Sequence, residues 1–463
     1  MIPMEFLVRE WQERPLPVFA RRDLKIDLQG HLATAIIGMR RSGKTWRLFQ
    51  EMEKLAGEGV NPAHILYFNF DDERLGSGTK GMDGGAGPEL LDDLLETFFR
   101  LNPSARREGA YLFFDEIQKI PKWAQFSRRI IDTEKVKLYL SGFSSQVQFT
   151  EIIAEFRGCA LAFELLPFSF REFLRFRQIS EKPAILDRSL YEQAFTDYLT
   201  VGGFPEVLAQ NDPFVRTSLL QSYLDVVVLR DVLERHNLSN ARGVRELAHT
   251  LVTQNGNLVS IKRLTDQLSA RNISMSKEMT GQICGHLEDA FLVFFMPIYT
   301  QSLQKMRVNP QKVYASDPAL AFAVQPAGAA NLGQRFEQAV YLELRRRFPL
   351  MRQEGISYYL TQDRREVNFI LGDPARQIPQ ALFQVCVSLK DDQTRKREIE
   401  ALQKAMEELG LKEALVLTLY EREELKTAAG LIRVQPAWEW FLEEPTKFPP
   451  EHPTKFPPEE PVR

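Results

Sequence analysis

An apolar run, Ala33-Thr34-Ala35-Ile36-Ile37, leads directly into Gly38-Met39-Arg40-Arg41-Ser42-Gly43-Lys44-Thr45 and then into a segment with helical character, Lys44 to Leu55. The order strand, glycine-punctuated loop, helix is what a phosphate-binding loop requires. Successive backbone N–H groups face inward at the helix N-terminus and cradle phosphate oxygens. Lys44 is placed to neutralise the terminal phosphates, and the Thr45 hydroxyl is suited to ligate Mg²⁺. The pattern points to a nucleoside triphosphate, with Gly38, Arg40, Arg41, Ser42, Gly43, Lys44, Thr45 and Trp46 as the expected contact set.

Downstream, Tyr111-Leu112-Phe113-Phe114-Asp115-Glu116 reads as an apolar strand ending in two carboxylates. Asp115 suits Mg²⁺, an ion that takes few carboxylates together with substrate oxygens. Glu116 suits polarisation of an attacking water, which turns a binding site into a hydrolase. Strands are expected at 33–37, 65–70, 111–115, 137–141 and 160–165, alternating with amphipathic segments. This predicts an α/β fold with a parallel sheet flanked by helices.

A chain of 463 residues, 44% hydrophobic and 26% charged, holds two to four globular domains. Its formal charge of −3 excludes a globally basic nucleic-acid binder but not a local basic face. Cys159, Cys284 and Cys386 are far apart and lack metal-ligand spacing. No apolar run nears the length of a membrane span and no leader pattern opens the chain, so the expected setting is cytoplasmic, without membrane contact. The glycine-rich stretch 76–88 reads as a surface insertion. Residues 214–302 read as mostly helical, with a helix-turn-helix between Val259 and Leu287 and Ser276 as N-cap of its second helix. The repeated Pro-Thr-Lys-Phe-Pro-Pro-Glu of the tail has little to bury and reads as extended and disordered.

Further marks are Phe68-Asn69-Phe70-Asp71-Asp72-Glu73, Pro167-Phe168-Ser169-Phe170-Arg171-Glu172-Phe173, Gly202-Gly203-Phe204-Pro205, and Lys312-Val313-Tyr314 before Asp317. With the two motifs above, in this order, the sequence resembles prokaryotic AAA-type ATPases in which an AAA_14 domain is fused to a DUF4143 region. The resemblance implies ATP and Mg²⁺ as cofactors and a P-loop ATPase domain at 1–170. It also implies a helical lid-like region at 171–240, a winged-helix-like domain at 241–325, a nuclease-like α/β domain at 326–436 and a tail at 437–463. Two departures stand out. Where such ATPases place a polar γ-phosphate sensor, this chain reads Ser141-Gly142-Phe143-Ser144-Ser145, leaving Ser144 or Ser145 as candidates. The family's Gly-Arg pair is Gly158-Cys159, so the catalytic arginine passes to Arg157, with Arg128 and Arg129 as further candidates.

A nuclease of the resembled type needs a helix Glu, a strand Asp and an (Asp/Glu)-x-Lys, whose acids hold Mg²⁺ ions that activate water. Here Glu337 fills the helix position, but Asn368, Gln384 and Cys386 stand where Asp, acid and lysine are expected. Glu366 shares a strand face with Asn368 and offers one substitute carboxylate. Cleavage chemistry is therefore not expected. Three readings of function follow: an ATP-hydrolysing switch or remodeller of a macromolecular partner, an ATP-gated DNA- or RNA-binding protein, and an ATP-binding scaffold with little turnover. A homo-oligomer is compatible with each.

Overall fold

Alternating apolar strands and amphipathic helices assemble into a five-stranded parallel sheet, ordered β2-β3-β4-β1-β5. The computed structural model describes residues 3–26, 32–77, 87–143, 160–182, 187–325, 331–352 and 354–444. The strands are β1 Ala33–Ile37, β2 Ile65–Asn69, β3 Ala110–Asp115, β4 Val136–Phe143 and β5 Ala160–Glu164. All five residues of β1 are buried because β4 and β5 flank it and helices cover both faces, which is why it reads as an unbroken apolar run. Helices α1 Met4–Glu13, α2 Lys44–Gly57, α3 Glu89–Leu101, α4 Pro103–Glu108 and α5 Trp123–Thr133 complete this unit.

Helices α6 Phe170–Phe176, α7 Arg188–Val201, α8 Pro205–Leu208 and α9 Pro213–Val226 follow. α6 starts at a capping box: Ser169 accepts from the Glu172 amide while the Glu172 carboxylate accepts from the Ser169 amide. α9 runs directly into a π-helix, Val227–Glu234. Beyond it, α10 Ala241–Thr253, α11 Ile261–Ala270 and α12 Lys277–Asp289 pack with a small antiparallel sheet, ordered β6-β8-β7, formed by Leu258–Val259, Gln311–Ala315 and Val293–Met296. A short helix, α13 Leu303–Val308, lies between β7 and β8. Ser276 caps α12 as expected, its hydroxyl accepting from the Met279 amide at 3.1 Å. Residues 214–302, expected to be mostly helical, thus also hold two short strands, β6 and β7, and a π-helical segment, and pair with a third strand, β8, beyond them.

The last part is a mixed six-stranded sheet, β13-β14-β12-β11-β10-β9, comprising β9 Ile356–Leu360, β10 Glu366–Asp373, β11 Ile378–Val385, β12 Glu413–Thr418, β13 Glu423–Lys426 and β14 Leu431–Pro436. Helices α14 Leu332–Arg347, α15 Asp392–Leu409 and α16 Ala437–Leu442 pack against it. This part is joined to the parallel sheet by a fully buried ion pair, Arg345 to Glu164 at 2.7 Å. An aromatic cluster adds to the join, with Phe195 edge-on to Phe170, Phe336 and Phe441. Aromatic edges carry partial positive charge and faces partial negative, so such crossings are favourable beyond the area they bury.

Ser144, Arg157, Cys159, most of the glycine-rich insertion and the terminal repeat lie outside the described residues.

Candidate nucleotide site

The loop after β1 folds as it does because its glycines take conformations other residues resist. Gly43 has φ 95° and Gly38 φ 148°, and a Cβ at Gly38 would lie 2.3 Å from the Leu165 carbonyl oxygen. Arg41 also adopts a left-handed φ of 67°. The turn is braced from outside by Arg22. Its guanidinium is buried and donates to the Ser42 carbonyl at 2.6 Å, the Leu166 carbonyl at 2.6 Å and the Glu172 carboxylate at 2.9 Å. Glu172 is held below the ordinary range because Arg22 and two backbone amides outweigh the burial that would raise it.

Lys44 folds back onto the loop, donating to the carbonyls of Gly38 at 2.9 Å and Met39 at 3.1 Å. Burial pushes its ammonium below the ordinary lysine value, while Glu116, Asp231 and Asp115 act in the opposite sense. Thr45 donates to Asp115 at 2.6 Å, Tyr67 donates to the same carboxylate oxygen at 3.0 Å, and Ser141 donates to the other. Asp115 is thus aimed by three hydroxyls at the end of β3. Glu116, next along, has a left-handed φ of 55° and accepts from the Gln118 amide at 2.5 Å. Burial raises its proton affinity, and the Asp115 charge adds to that. Gly142 lets this turn sit against β4, since a Cβ there would meet Gln118 Oε1 at 2.3 Å and Glu116 Cα at 2.6 Å.

The adjacent Thr45 hydroxyl and Asp115 carboxylate form a hard-oxygen pair of the kind Mg²⁺ accepts. The residues therefore fit a Mg²⁺–nucleotide. Of the expected contact set, Gly38, Ser42, Gly43, Lys44 and Thr45 converge on the loop interior or its frame. Arg40 and Arg41 instead reach out to the helical region. Arg40 makes a two-point contact with Asp231, Nε at 2.8 Å and Nη2 at 3.0 Å. Arg41 pairs with Glu206 at 2.9 Å and lies over the Tyr223 ring. Trp46 is 42% exposed and crosses Phe49 edge-on. The proposed arginine candidates Arg128 and Arg129 are on α5, beside Asp132 and Asp92, where the sheet's outer helix meets solvent. Arg22, Tyr67, Glu206 and Asp231 belong to the site without any motif marking them, and Ser141 belongs to it from within the sensor stretch although Ser144 and Ser145 were the residues singled out there.

The positions compared in sequence with a nuclease, Glu337, Asn368 and Gln384, lie with Glu366 near a buried lysine. Lys312, from β8, is buried and lies 2.7 Å from Glu337 and 2.6 Å from Glu366. Burial would lower its pKa, but the two carboxylates hold it above the ordinary lysine range. Tyr314 and Asn368 also donate to Glu337, at 2.6 and 3.0 Å. The Gln384 side chain accepts from the Asn368 amide and donates to Glu398. Burial pushes the Cys386 thiol up to about 12, so it is neutral. A cavity of about 390 Å³ opens beside Lys312, bounded by Gln254, Asn257, Arg263 and Glu366. Among the described residues, no group of three or more His, Cys, Asp or Glu side chains is arranged to hold a metal ion.

A five-stranded parallel sheet with this loop at β1 and this acidic pair at β3 defines a P-loop NTPase fold. Residues 31–174 match the AAA_14 family, an AAA domain, so the chain carries an AAA-type P-loop ATPase domain. Residues 192–331 match a domain of unknown function, DUF8612, rather than the DUF4143 region expected from the motifs. An uncharacterized protein of Methanocaldococcus jannaschii is 29% identical over 429 residues, covering 91% of this chain and 90% of that protein. An uncharacterized protein of Haemophilus influenzae is 24% identical over 349 residues, covering 75% and 80%. Among solved structures, the Walker-type ATPase of Pyrococcus abyssi aligns over 63% of this chain and 90% of its own, with 15% identity and a TM-score of 0.39. No helix among the described residues is long and apolar enough to cross a membrane.

Proposed function

We propose that this protein is a Mg²⁺-dependent ATPase that uses hydrolysis to switch or remodel a macromolecular partner. The observation that carries this reading is the convergence of Lys44, Thr45, Asp115 and Glu116 at the ends of β1 and β3. Bound at Thr45 and Asp115, Mg²⁺ would offset charge on the β- and γ-phosphate oxygens. The loop amides and Lys44 hold the phosphates. Glu116 orients a water whose oxygen bonds to the γ-phosphorus as the bond to the bridging oxygen breaks. The electron pair leaves with ADP, and the water proton moves toward Glu116. The raised proton affinity of Glu116 suits that role.

The chain then divides near residues 170, 240 and 325, and the tail expected from 437 begins only after α16, because Trp438, Trp440 and Phe441 of that helix are buried. The lid-like region docks on the loop through Asp231 and Glu206. The unit with α10 to α12 and the small three-stranded sheet is read as winged-helix-like. The nuclease-like part is read as a binding or structural part that does not cut, because the Lys312 ammonium sits between the two acids that remain. A second reading, ATP-gated DNA or RNA binding, draws on α11 and α12. Lys262, Arg263 and Lys277 lie there without ion pairs among the described residues, whereas Arg271 is neutralised by Glu246.

The test is ATP turnover by the full chain and by Lys44→Ala, with and without duplex DNA, single-stranded DNA, RNA or candidate proteins. Lys44→Ala should abolish nucleotide binding and turnover, and stimulation should select one partner class. Stimulation by nucleic acid, lost at high salt, would favour the second reading. Tight ATP binding with no phosphate release under any condition would make the protein a scaffold instead.

A further inference from the structure

We propose that Arg40 is the arginine that stabilises charge on the γ-phosphoryl group, and that Asp231 is its positioning residue, reaching in from the π-helix. The inference rests on the ATPase reading above and gives to Arg40 the role expected from sequence at Arg157, which lies outside the described residues.

Phosphoryl transfer spreads negative charge over the γ-phosphate oxygens, and an arginine placed there accelerates the reaction by orders of magnitude. The described arginines around the loop differ sharply in what they can still do. Arg22 is buried and spent on two carbonyls and Glu172. Arg41 points away, half exposed on Glu206 and Tyr223. Arg128 and Arg129 face solvent on α5. Arg40 belongs to the loop itself, so its backbone is fixed relative to any bound phosphate.

Asp231 fixes the rest. It takes Nε and Nη2 of Arg40 in a two-point contact that sets the plane of the guanidinium. Nη1 makes no hydrogen bond among the described residues and remains available to a phosphate oxygen. Asp231 is only 4% exposed, which makes it a rigid anchor, while the Arg40 side chain is 40% exposed and so is not enclosed by its partner. The charges of Arg40 and Asp231 both act on Lys44, and that of Arg40 also acts on Glu116, which places the pair within the field of the catalytic groups. The local backbone gives a second, independent indication. Asp231 sits in eight consecutive π-helical residues, a winding that is rare, is energetically inferior to the α-helix and recurs at functional sites.

The experiment measures steady-state turnover, equilibrium binding of a fluorescent ATP analogue, and trapping of ADP with aluminium fluoride. It uses the full chain and the Arg40→Ala, Arg40→Lys, Asp231→Asn and Arg40→Ala/Asp231→Asn variants. Arg40→Ala should lower kcat by about 100-fold or more, a modest share of the effect known for such arginines, with nucleotide binding changed less than about threefold. It should also lose ADP–aluminium fluoride trapping, and free guanidinium should restore part of its rate. Asp231→Asn should lower kcat without raising KM, and the double variant should be no slower than Arg40→Ala alone. Arg40→Lys keeps the charge but not the fork and should behave like Arg40→Ala, so the inference stays testable if Asp231→Asn fails to fold. Wild-type kcat in Arg40→Ala, a loss confined to nucleotide binding, or additive losses in the double variant would overturn the proposal. If the wild type itself shows no turnover, or Lys44→Ala retains it, the ATPase reading falls and this proposal with it.

Discussion

Arg22 shows how one side chain far outside a motif can set its geometry. Its three partners come from the loop, from the segment after β5 and from α6, so it holds the loop against the rest of the unit. Removing one member of a buried ion pair leaves the other charge without compensation, at a cost of about 3–5 kcal/mol. Arg22→Ala should therefore lose about that much stability in denaturant unfolding and bind nucleotide more weakly. An unchanged unfolding midpoint would show that the loop does not depend on the brace. The loop residues were legible in sequence because glycines, lysine and threonine at fixed spacing have few other uses. Arg22 was not, because its carboxylate partner lies 150 residues away and no local pattern joins them. Ser141 opens the stretch that also holds the sensor candidates Ser144 and Ser145, which lie outside the described residues, and its partner Asp115 is 26 residues away, so no local pattern joins the two.

At the scale of elements, the five strands of the parallel sheet fell within a residue or two of their expected positions, since buried strands leave continuous apolar runs. The α10–β8 region was less legible. Its strands are two to five residues long, and a period-two pattern needs more length than that to stand out from helical neighbours. The π-helix has no sequence signature at all; only the docking of Asp231 on Arg40 marks it. At the end of α12, Glu288 accepts from the Phe295 amide at 3.0 Å, and burial raises its carboxyl from the ordinary 4.5 to about 7. A raised acid favours the folded state at low pH. Its contribution is full below about 4.5 and is lost as pH rises through about 7. Glu288→Gln keeps the acceptor and cannot ionise. It should therefore gain stability relative to wild type as pH rises from 4.5 to 8, by up to about 3 kcal/mol, the free-energy equivalent of the shift. Thermal unfolding across that range checks this, and parallel wild-type and variant curves would refute it.

At the scale of the whole molecule, one hydrophobic cluster runs from the parallel sheet through the helical region into the C-terminal sheet. The loop touches this body at more points than nucleotide chemistry alone needs. Met39 meets Ser316 just beyond β8, Arg40 meets Asp231, and Arg41 meets Glu206. β8 also carries Lys312 to Glu337 and Glu366, so one short strand stands between the nucleotide site and the acids of the C-terminal part. The proposed switch would act through these contacts, which join the nucleotide loop to the parts that follow. The substituted acids at Asn368 and Gln384 were plain in sequence, but the lysine from a different sheet that joins their remaining neighbours was visible only in three dimensions. The most direct test of the central claim compares ATP binding and phosphate release in wild type and Glu116→Gln with Mg²⁺ present. Glu116→Gln should bind ATP as tightly as wild type and release phosphate at least about 100-fold more slowly, as expected when a water-orienting carboxylate is lost. Undiminished phosphate release by Glu116→Gln would contradict that claim.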